Sequence, residues 1–190
     1  MRSHQLQVRV LGFATALAAC GPIACDTEPR NDAMSAKAVV GPTTGHDVEG
    51  TVHFEALDAG GVRVVADLQG LEPGRHAFHV HEVGDCSEDA AAAGAHFDFL
   101  GNQATEGDEA PEDGRITGNL GELPVDEEGE TRFEATIGTA RLHGERSIVG
   151  RSVVVHARGN DPSSPPDGAA GERIACGVIV EATDRGVAGL

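Results

Sequence analysis

The sequence has no tryptophan, no tyrosine and only 6 phenylalanines in 190 residues. Its 26 glycines and 9 prolines indicate many turns around a core of small aliphatic residues. Such a composition favours short strands over long helices. At this length, with 39% hydrophobic residues, we expect one folded domain with tails. An all-β domain is therefore the first expectation.

Positive charge is also scarce. The chain has 14 Lys and Arg against 31 Asp and Glu, which gives a formal net charge of -17 at pH 7. No cluster of basic residues exists that could follow a phosphate backbone, so nucleic acid is not expected as a partner. Acidity on this scale is typical of a solubility device, and it repels an anionic substrate at long range.

The first nineteen residues contain Arg2 and Arg9 but no acidic residue, and they end in an apolar run at 10–19. This layout is typical of a secretory signal peptide, and the run is too short to span a membrane. The run ends in Leu-Ala-Ala followed by Cys20, which resembles the lipobox of bacterial lipoproteins. We expect lipidation at Cys20. An ordinary cleaved signal is the alternative, and Cys25 is a second, poorer candidate.

The predicted organisation has three parts: a signal peptide at 1–19, a polar flexible tether at 20–45 and a folded domain at 46–190. Export implies the cell envelope or periplasm, with a lipid anchor in the outer membrane. In an oxidising compartment Cys86 and Cys176 can form a disulfide, and two free buried thiols are the alternative.

Seven stretches of the domain have strand-like patterns, and no helical periodicity of useful length occurs there. The predicted strands are 47–57, 62–71, 76–82, 114–123, 131–137, 147–157 and 175–182. Seven short strands favour an antiparallel sandwich or a flattened Greek-key barrel. The intervals 84–113 and 158–173 are long and polar, and loops of that length in a compact β domain are usually functional.

Four histidines stand out. His79 and His81 alternate with Phe78 and Val80, so both imidazoles project from one face of a strand. Such a pair can also be a surface coincidence. Two more candidates follow, one at the end of the first long loop and one at the end of an apolar strand: His96 and His156. Four imidazoles suit a borderline transition metal such as copper.

The segment His-Ala-Phe-His-Val-His-Glu-Val-Gly-Asp-Cys at 76–86 resembles the copper-binding signature of the copper/zinc superoxide dismutase family. The segments 93–97, 150–156 and 171–179 are similar to the family's other signatures, in the same order. The resemblance covers about 46–182. It implies a Greek-key fold, copper bound by His79, His81, His96 and His156, and a disulfide between Cys86 and Cys176.

The resemblance also implies that Arg173 guides the substrate, superoxide. A planar, permanently charged guanidinium is suited to holding a small anion near a metal. A solvated loop charge is the simpler alternative for this residue. The second long loop has Arg158 as its only interior cation, so steering of an anion from a distance should be weak.

The family's zinc site is not expected in this chain. No histidine occurs from 97 to 142, Asn119 replaces an aspartate of the family motif, and Ile116 stands where a histidine is usual. Structural zinc prefers Cys and His, so a surrogate site is less expected than a solvated acidic loop at Asp98, Glu106, Asp108, Glu109, Glu112 and Asp113. Without zinc, His96 needs another partner, for which Asp98 and Glu122 are candidates.

The leading functional hypothesis is a superoxide dismutase that converts superoxide to oxygen and hydrogen peroxide by copper redox cycling. The first alternative is a copper-binding or copper-buffering envelope lipoprotein with little or no dismutase activity. The second is a structural envelope lipoprotein with a degenerate site. The sequence does not indicate an oligomeric state.

Overall fold

The computed structural model describes residues 34–100 and 116–182. These ranges contain nine β-strands and one short 3-10 turn, Ala91–Ala93. In chain order the strands are β1 Ser35–Pro42, β2 Glu49–Ala56, β3 Val62–Gln69, β4 Gly74–His81, β5 Asn119–Val125, β6 Thr131–Ile137, β7 Ser152–His156, β8 Arg173–Val178 and β9 Val180–Glu181. In this part of the chain no helix is long and apolar enough to cross a lipid bilayer.

The strands form an antiparallel sheet in the order β5-β4-β7-β8-β1-β2-β3-β6, with β9 beside β1. The two ends of this path, β5 and β6, follow each other in the chain and lie against one another. The sheet therefore almost closes on itself. Strands β3 and β4, although consecutive, are far apart in the sheet, as in a Greek key. The predicted all-β Greek-key sandwich or flattened barrel is confirmed.

The core follows from alternation along the strands. In β3 the side chains of Val62, Val64, Ala66 and Leu68 are buried while Arg63 and Asp67 lie outward. Three other strands depart from this pattern: the last six residues of β4, all of β7 and the four central residues of β8 are buried on both faces. Residues of both long loops contact this region: Ala90 and Ala93 pack against Val154, and Asn160 contacts His79. A buried outer face next to long loops is where the candidate site lies.

The structure differs from the prediction at the start of the domain. Ser35–Pro42, assigned to the tether, is strand β1, which pairs with β2, β8 and β9. Its buried residues are small, Ala36, Ala38 and Val40, so their period of two is a weak signal until partner strands cover them. The rest of the tether, the signal segment and Cys20 lie outside the described residues.

Other strand boundaries also differ, and the strand predicted at 147–157 is the shorter β7, Ser152–His156. The strand predicted at 114–123 begins at Asn119, and the one predicted at 175–182 begins at Arg173 and is divided into β8 and β9. Strand ends depend on hydrogen bonds to neighbouring strands, which a sequence pattern does not contain. The shift at β8 matters because it places Arg173 within the sheet, beside the last residue of β7.

Candidate metal centre

The structure brings together His79, His81, His96 and His156, called here the histidine cluster. His79 and His81 are near the end of β4, His156 ends β7, and His96 lies in the β4–β5 connection, where it forms an isolated bridge with His81. One ring nitrogen of each residue lies within 4.8 Å of the others. The cluster is a group of ligands able to hold a metal ion.

Hydrogen bonds to backbone carbonyls determine which nitrogens face one another. The Nδ1 of His81 lies 3.0 Å from Gly94 O, and the Nδ1 of His156 lies 3.2 Å from Gly171 O. Carbonyls only accept, so each Nδ1 carries the hydrogen and each neutral ring has a bare Nε2. These two Nε2 atoms are 3.3 Å apart. Two lone pairs at this distance repel each other unless a cation or a proton lies between them.

His79 adds a third bare nitrogen. Its Nε2 lies 2.9 Å from Asn160 Oδ1, and its buried Nδ1 has no hydrogen-bond partner among the described residues. A buried polar atom without a partner is costly in a protein interior. A metal ion bound by this atom would remove that cost.

The histidine cluster is neutral near pH 7. Burial, reinforced by the neighbouring imidazole of His96, lowers the pKa of His79 and His81 to about 2. Burial also lowers the pKa of His96 and His156 to about 4. Neutral imidazole is the form that binds metals. Four neutral imidazoles fit a borderline transition metal, and nitrogen-rich sets are a preference of copper.

The family model of copper/zinc superoxide dismutase (SODC) matches residues 48–179. The chain belongs to the copper/zinc superoxide dismutase family. The resemblance drawn from the four sequence motifs is thereby confirmed. Superoxide is the substrate of this family, and the histidine cluster fits its copper.

The predicted dismutase-family disulfide is present. Cys86, in the β4–β5 connection, is bonded to Cys176 of β8, and 90 residues separate them in sequence. Ala90, Ala93 and Val154 pack around the bridge. The alternative of two free thiols is therefore wrong, and the bridge ties the loop before His96 to the sheet.

Arg173 lies beside the histidine cluster, directly across from His156 in the β7–β8 ladder. Its Nη1 donates to Ala90 O at 2.5 Å and its Nη2 donates to Gly94 O at 2.7 Å. Gly94 O also accepts the bond from His81, so the guanidinium and a cluster ring share one acceptor. The charge of Arg173 contributes to the lowered pKa of His81. These two bonds use two of the five N–H groups of a guanidinium.

Two residues next to the cluster were missed by the sequence analysis. Asn160 contacts His79 as described above, and His76, the first residue of the 76–86 segment, was given no role there. His76 is buried, with Nδ1 2.8 Å from His156 O and Nε2 2.8 Å from Glu72 O. It therefore ties the end of β7 to the β3–β4 turn. The available signal for Asn160 was a polar residue four positions after His156, in a loop expected to be functional.

The residues at the family's zinc positions do not fit zinc. Asn119 is a neutral amide whose Oδ1 accepts from Gly121 N at 2.9 Å, and Ile116 is aliphatic. His96 Nδ1 is buried without a hydrogen-bond partner in the described ranges, which contain no second group of three or more metal-binding side chains. The loop acids Glu106, Asp108, Glu109, Glu112 and Asp113 lie outside those ranges.

The carboxylates considered as partners of His96 make other contacts. Glu122 accepts a bond from Asn160 N at 2.7 Å and forms an ion pair with Arg75. Asp98 Oδ1 accepts a bond from Leu100 N at 2.9 Å. Glu122 therefore supports the loop that carries Asn160, and through it the ring of His79.

Proposed function

We propose that this chain is a copper-dependent superoxide dismutase. The observation that carries the proposal is the buried histidine cluster with Arg173 directly across the ladder from one of its members. The cluster provides neutral nitrogen ligands, and Arg173 provides a permanent positive charge at hydrogen-bonding distance from the same carbonyl as His81.

Copper bound there supplies one-electron chemistry, by which two superoxide ions and two protons become one oxygen and one hydrogen peroxide. The chain's own residues bind and orient. Backbone carbonyls hold His81 and His156 with Nε2 inward. Arg173 is held by two carbonyls, so little rotamer freedom is lost when its remaining N–H groups bind an anion.

The disulfide also supports the predicted export, because such bonds form and persist in oxidising compartments. We therefore include in the proposal an envelope location with lipid attachment at Cys20. This part has its own test. Mass spectrometry of the protein purified from membranes should find a diacylglyceryl group at Cys20, and a Cys20→Ala chain should not be retained there.

Copper buffering without turnover is the second candidate, and one observation favours it. Burial lowers the pKa of His96 and His156, and the nearby carboxylate of Asp167 partly opposes this lowering. A negative charge close to the cluster attracts a cation and repels superoxide. Low turnover at a site with high copper affinity would agree with this arrangement.

The experiment is to load the protein with copper alone and to measure both bound copper and superoxide dismutation. We expect one copper per chain and activity in the wild type, and loss of both in His156→Ala. Arg173→Ala should keep copper and lose about tenfold or more in rate, because a hydrogen bond from a charged group contributes about 1.5 to 3 kcal/mol.

Arg158→Ala is the matched control, because it removes the same charge from the neighbouring loop, where the guanidinium bonds to Ala169 O. Its rate should stay within about twofold of wild type if position and not net charge matters. Stoichiometric copper without turnover in the wild type would replace the dismutase proposal with copper buffering.

A further inference from the structure

Two side-chain amides connect a backbone N–H to one ring of the histidine cluster. Gly121 N donates to Asn119 Oδ1 at 2.9 Å. Asn160 Nδ2 lies 3.3 Å from the same oxygen, and Asn160 Oδ1 lies 2.9 Å from His79 Nε2. Asn119 is also the β5 residue paired with His79 of β4. The chain of hydrogen bonds therefore runs from Gly121 through two asparagines to His79.

The direction of each bond follows from its first member. A backbone N–H can only donate, so the atom of Asn119 that faces Gly121 must be the oxygen. The group of Asn160 that faces this oxygen must then be its NH₂, and its own oxygen must face His79. His79 therefore donates from Nε2–H, and its Nδ1 is left with a lone pair. This is the buried nitrogen without a partner.

We propose that Asn119 and Asn160 are positioning residues that select the Nε2–H tautomer of His79 and so keep Nδ1 available to a metal. Asn119 does this without any hydrogen bond to His79, by fixing the orientation of the Asn160 amide. The inference rests on the function proposed above for the identity of the metal, copper. The tautomer of His79 does not depend on that function.

Asn160 is itself held in place by its backbone. Its N–H donates to Glu122 Oε1 at 2.7 Å, and Glu122 is paired with Arg75. A Cβ on the preceding residue, Gly159, would lie 2.8 Å from the same Glu122 oxygen, so a side chain there would displace this carboxylate. Glu122 therefore fixes the position of Asn160, whereas Asn119 fixes which end of its amide faces the histidine.

The test is the tautomer of His79 in the metal-free protein, read from the ring nitrogen shifts and two-bond N–H couplings of ¹⁵N-labelled full-length chain near pH 7. In the wild type we expect only Nε2–H. In Asn119→Ala the Asn160 amide can reverse and donate to Nε2, so both tautomers should be present. Asn119→Asp keeps an accepting oxygen towards Gly121 and Asn160, so it should retain Nε2–H.

Copper affinity gives a second readout, measured by competition with a chromogenic chelator. Asn160→Leu has nearly the same shape but no acceptor for His79, and we expect copper to bind about 10 to 100 times more weakly, as is typical for loss of such a partner. Asp161→Ala is the matched control, because the side-chain hydrogen bonds described for Asp161 go to Ser163 and Ser164, and its backbone bond to Gly168 O is kept in the variant. It should leave affinity and tautomer unchanged.

The outcomes separate the inference from the proposed function. A single Nε2–H tautomer in both Asn119→Ala and Asn160→Leu, or a mixture in the wild type, would overturn the inference whether or not copper binds. If Asn160→Leu does not fold, the comparison of Asn119→Ala with Asn119→Asp decides. If the wild type and the variants show the expected tautomers but the wild type binds no copper, the dismutase proposal is refuted and the amide arrangement is established.

Discussion

Removal of the Cys86–Cys176 disulfide should lower both the stability of the domain and the activity of the site. The bridge joins two points 90 residues apart. It also fixes the segment whose carbonyls, Ala90 O and Gly94 O, hold the guanidinium of Arg173. Removal therefore has a global effect on the unfolded chain and a local effect beside the histidine cluster.

The global effect follows from the loop length. In the chain-entropy model, closing a loop of 90 residues lowers the entropy of the unfolded chain by about 15.5 cal/mol/K, or about 4.6 kcal/mol at 25 °C. Measured losses for native disulfides are commonly about 2 to 5 kcal/mol. For a domain of this size the model value corresponds to a fall in Tm of roughly 10 to 20 °C.

The assay compares thermal and urea unfolding of the wild type, the reduced wild type and Cys86→Ala/Cys176→Ala. Reduction leaves the sulfur atoms in place, so any additional loss in the double variant measures the cavity at the buried Cys176. If the free energy of unfolding falls by less than about 1 kcal/mol in both the reduced wild type and the double variant, the reasoning from loop length is refuted. We also expect the double variant to lose a larger fraction of its dismutation rate than of its bound copper. Three of the four cluster histidines lie on strands β4 and β7, and not in the loop from Cys86 to His96 that the bridge holds against β8.

Three further predictions concern pH, salt and backbone geometry. Folding lowers the pKa values of the cluster histidines from 6.5, so below this pH the unfolded chain binds more protons than the folded chain. The free energy of unfolding of the metal-free protein should therefore fall from pH 6.5 towards pH 4. A urea midpoint that stays constant over this range would contradict the prediction. The dismutation rate should stay level or rise between about 0.01 and 0.15 M salt, because the net charge of -17 repels superoxide; a steep fall would disprove it. Gly118→Ala should lower the free energy of unfolding by more than about 2 kcal/mol, because Gly118 has φ 63° and a Cβ there would lie 2.4 Å from Val80 O. Val80 lies between the cluster residues His79 and His81. Gly60→Ala, with φ 88° and open space, should cost only about 1 kcal/mol in thermal unfolding.

The chemistry-bearing residues could be predicted from the sequence because their signals are local. The His79–His81 spacing places two rings on one face of any strand. The short motifs around His96, His156 and Arg173 identify the family, and the family match agrees. The folded domain contains two cysteines, which leave one possible bridge within it, and this bridge is present.

Strand β1 and the contacts of Asn160 were not predictable in the same way. The small buried residues of β1 form part of the core only when β2, β8 and β9 lie beside them. Asn160 and Asn119 are 41 residues apart, and an asparagine in a polar loop has no local pattern that indicates its partner. Glu122 was considered as a partner of His96 on sequence grounds, whereas its bonds go to Asn160 and Arg75.

The sequence by itself determined the donor types, the alternation of the strands and the family. The tertiary structure decided which nitrogen of each ring faces the cluster, because that depends on carbonyls and amides contributed by distant segments: Gly94, Gly171 and Asn160. Hydrogen bonds are directional and short, so a tautomer is fixed only after packing has brought donor and acceptor within about 3 Å.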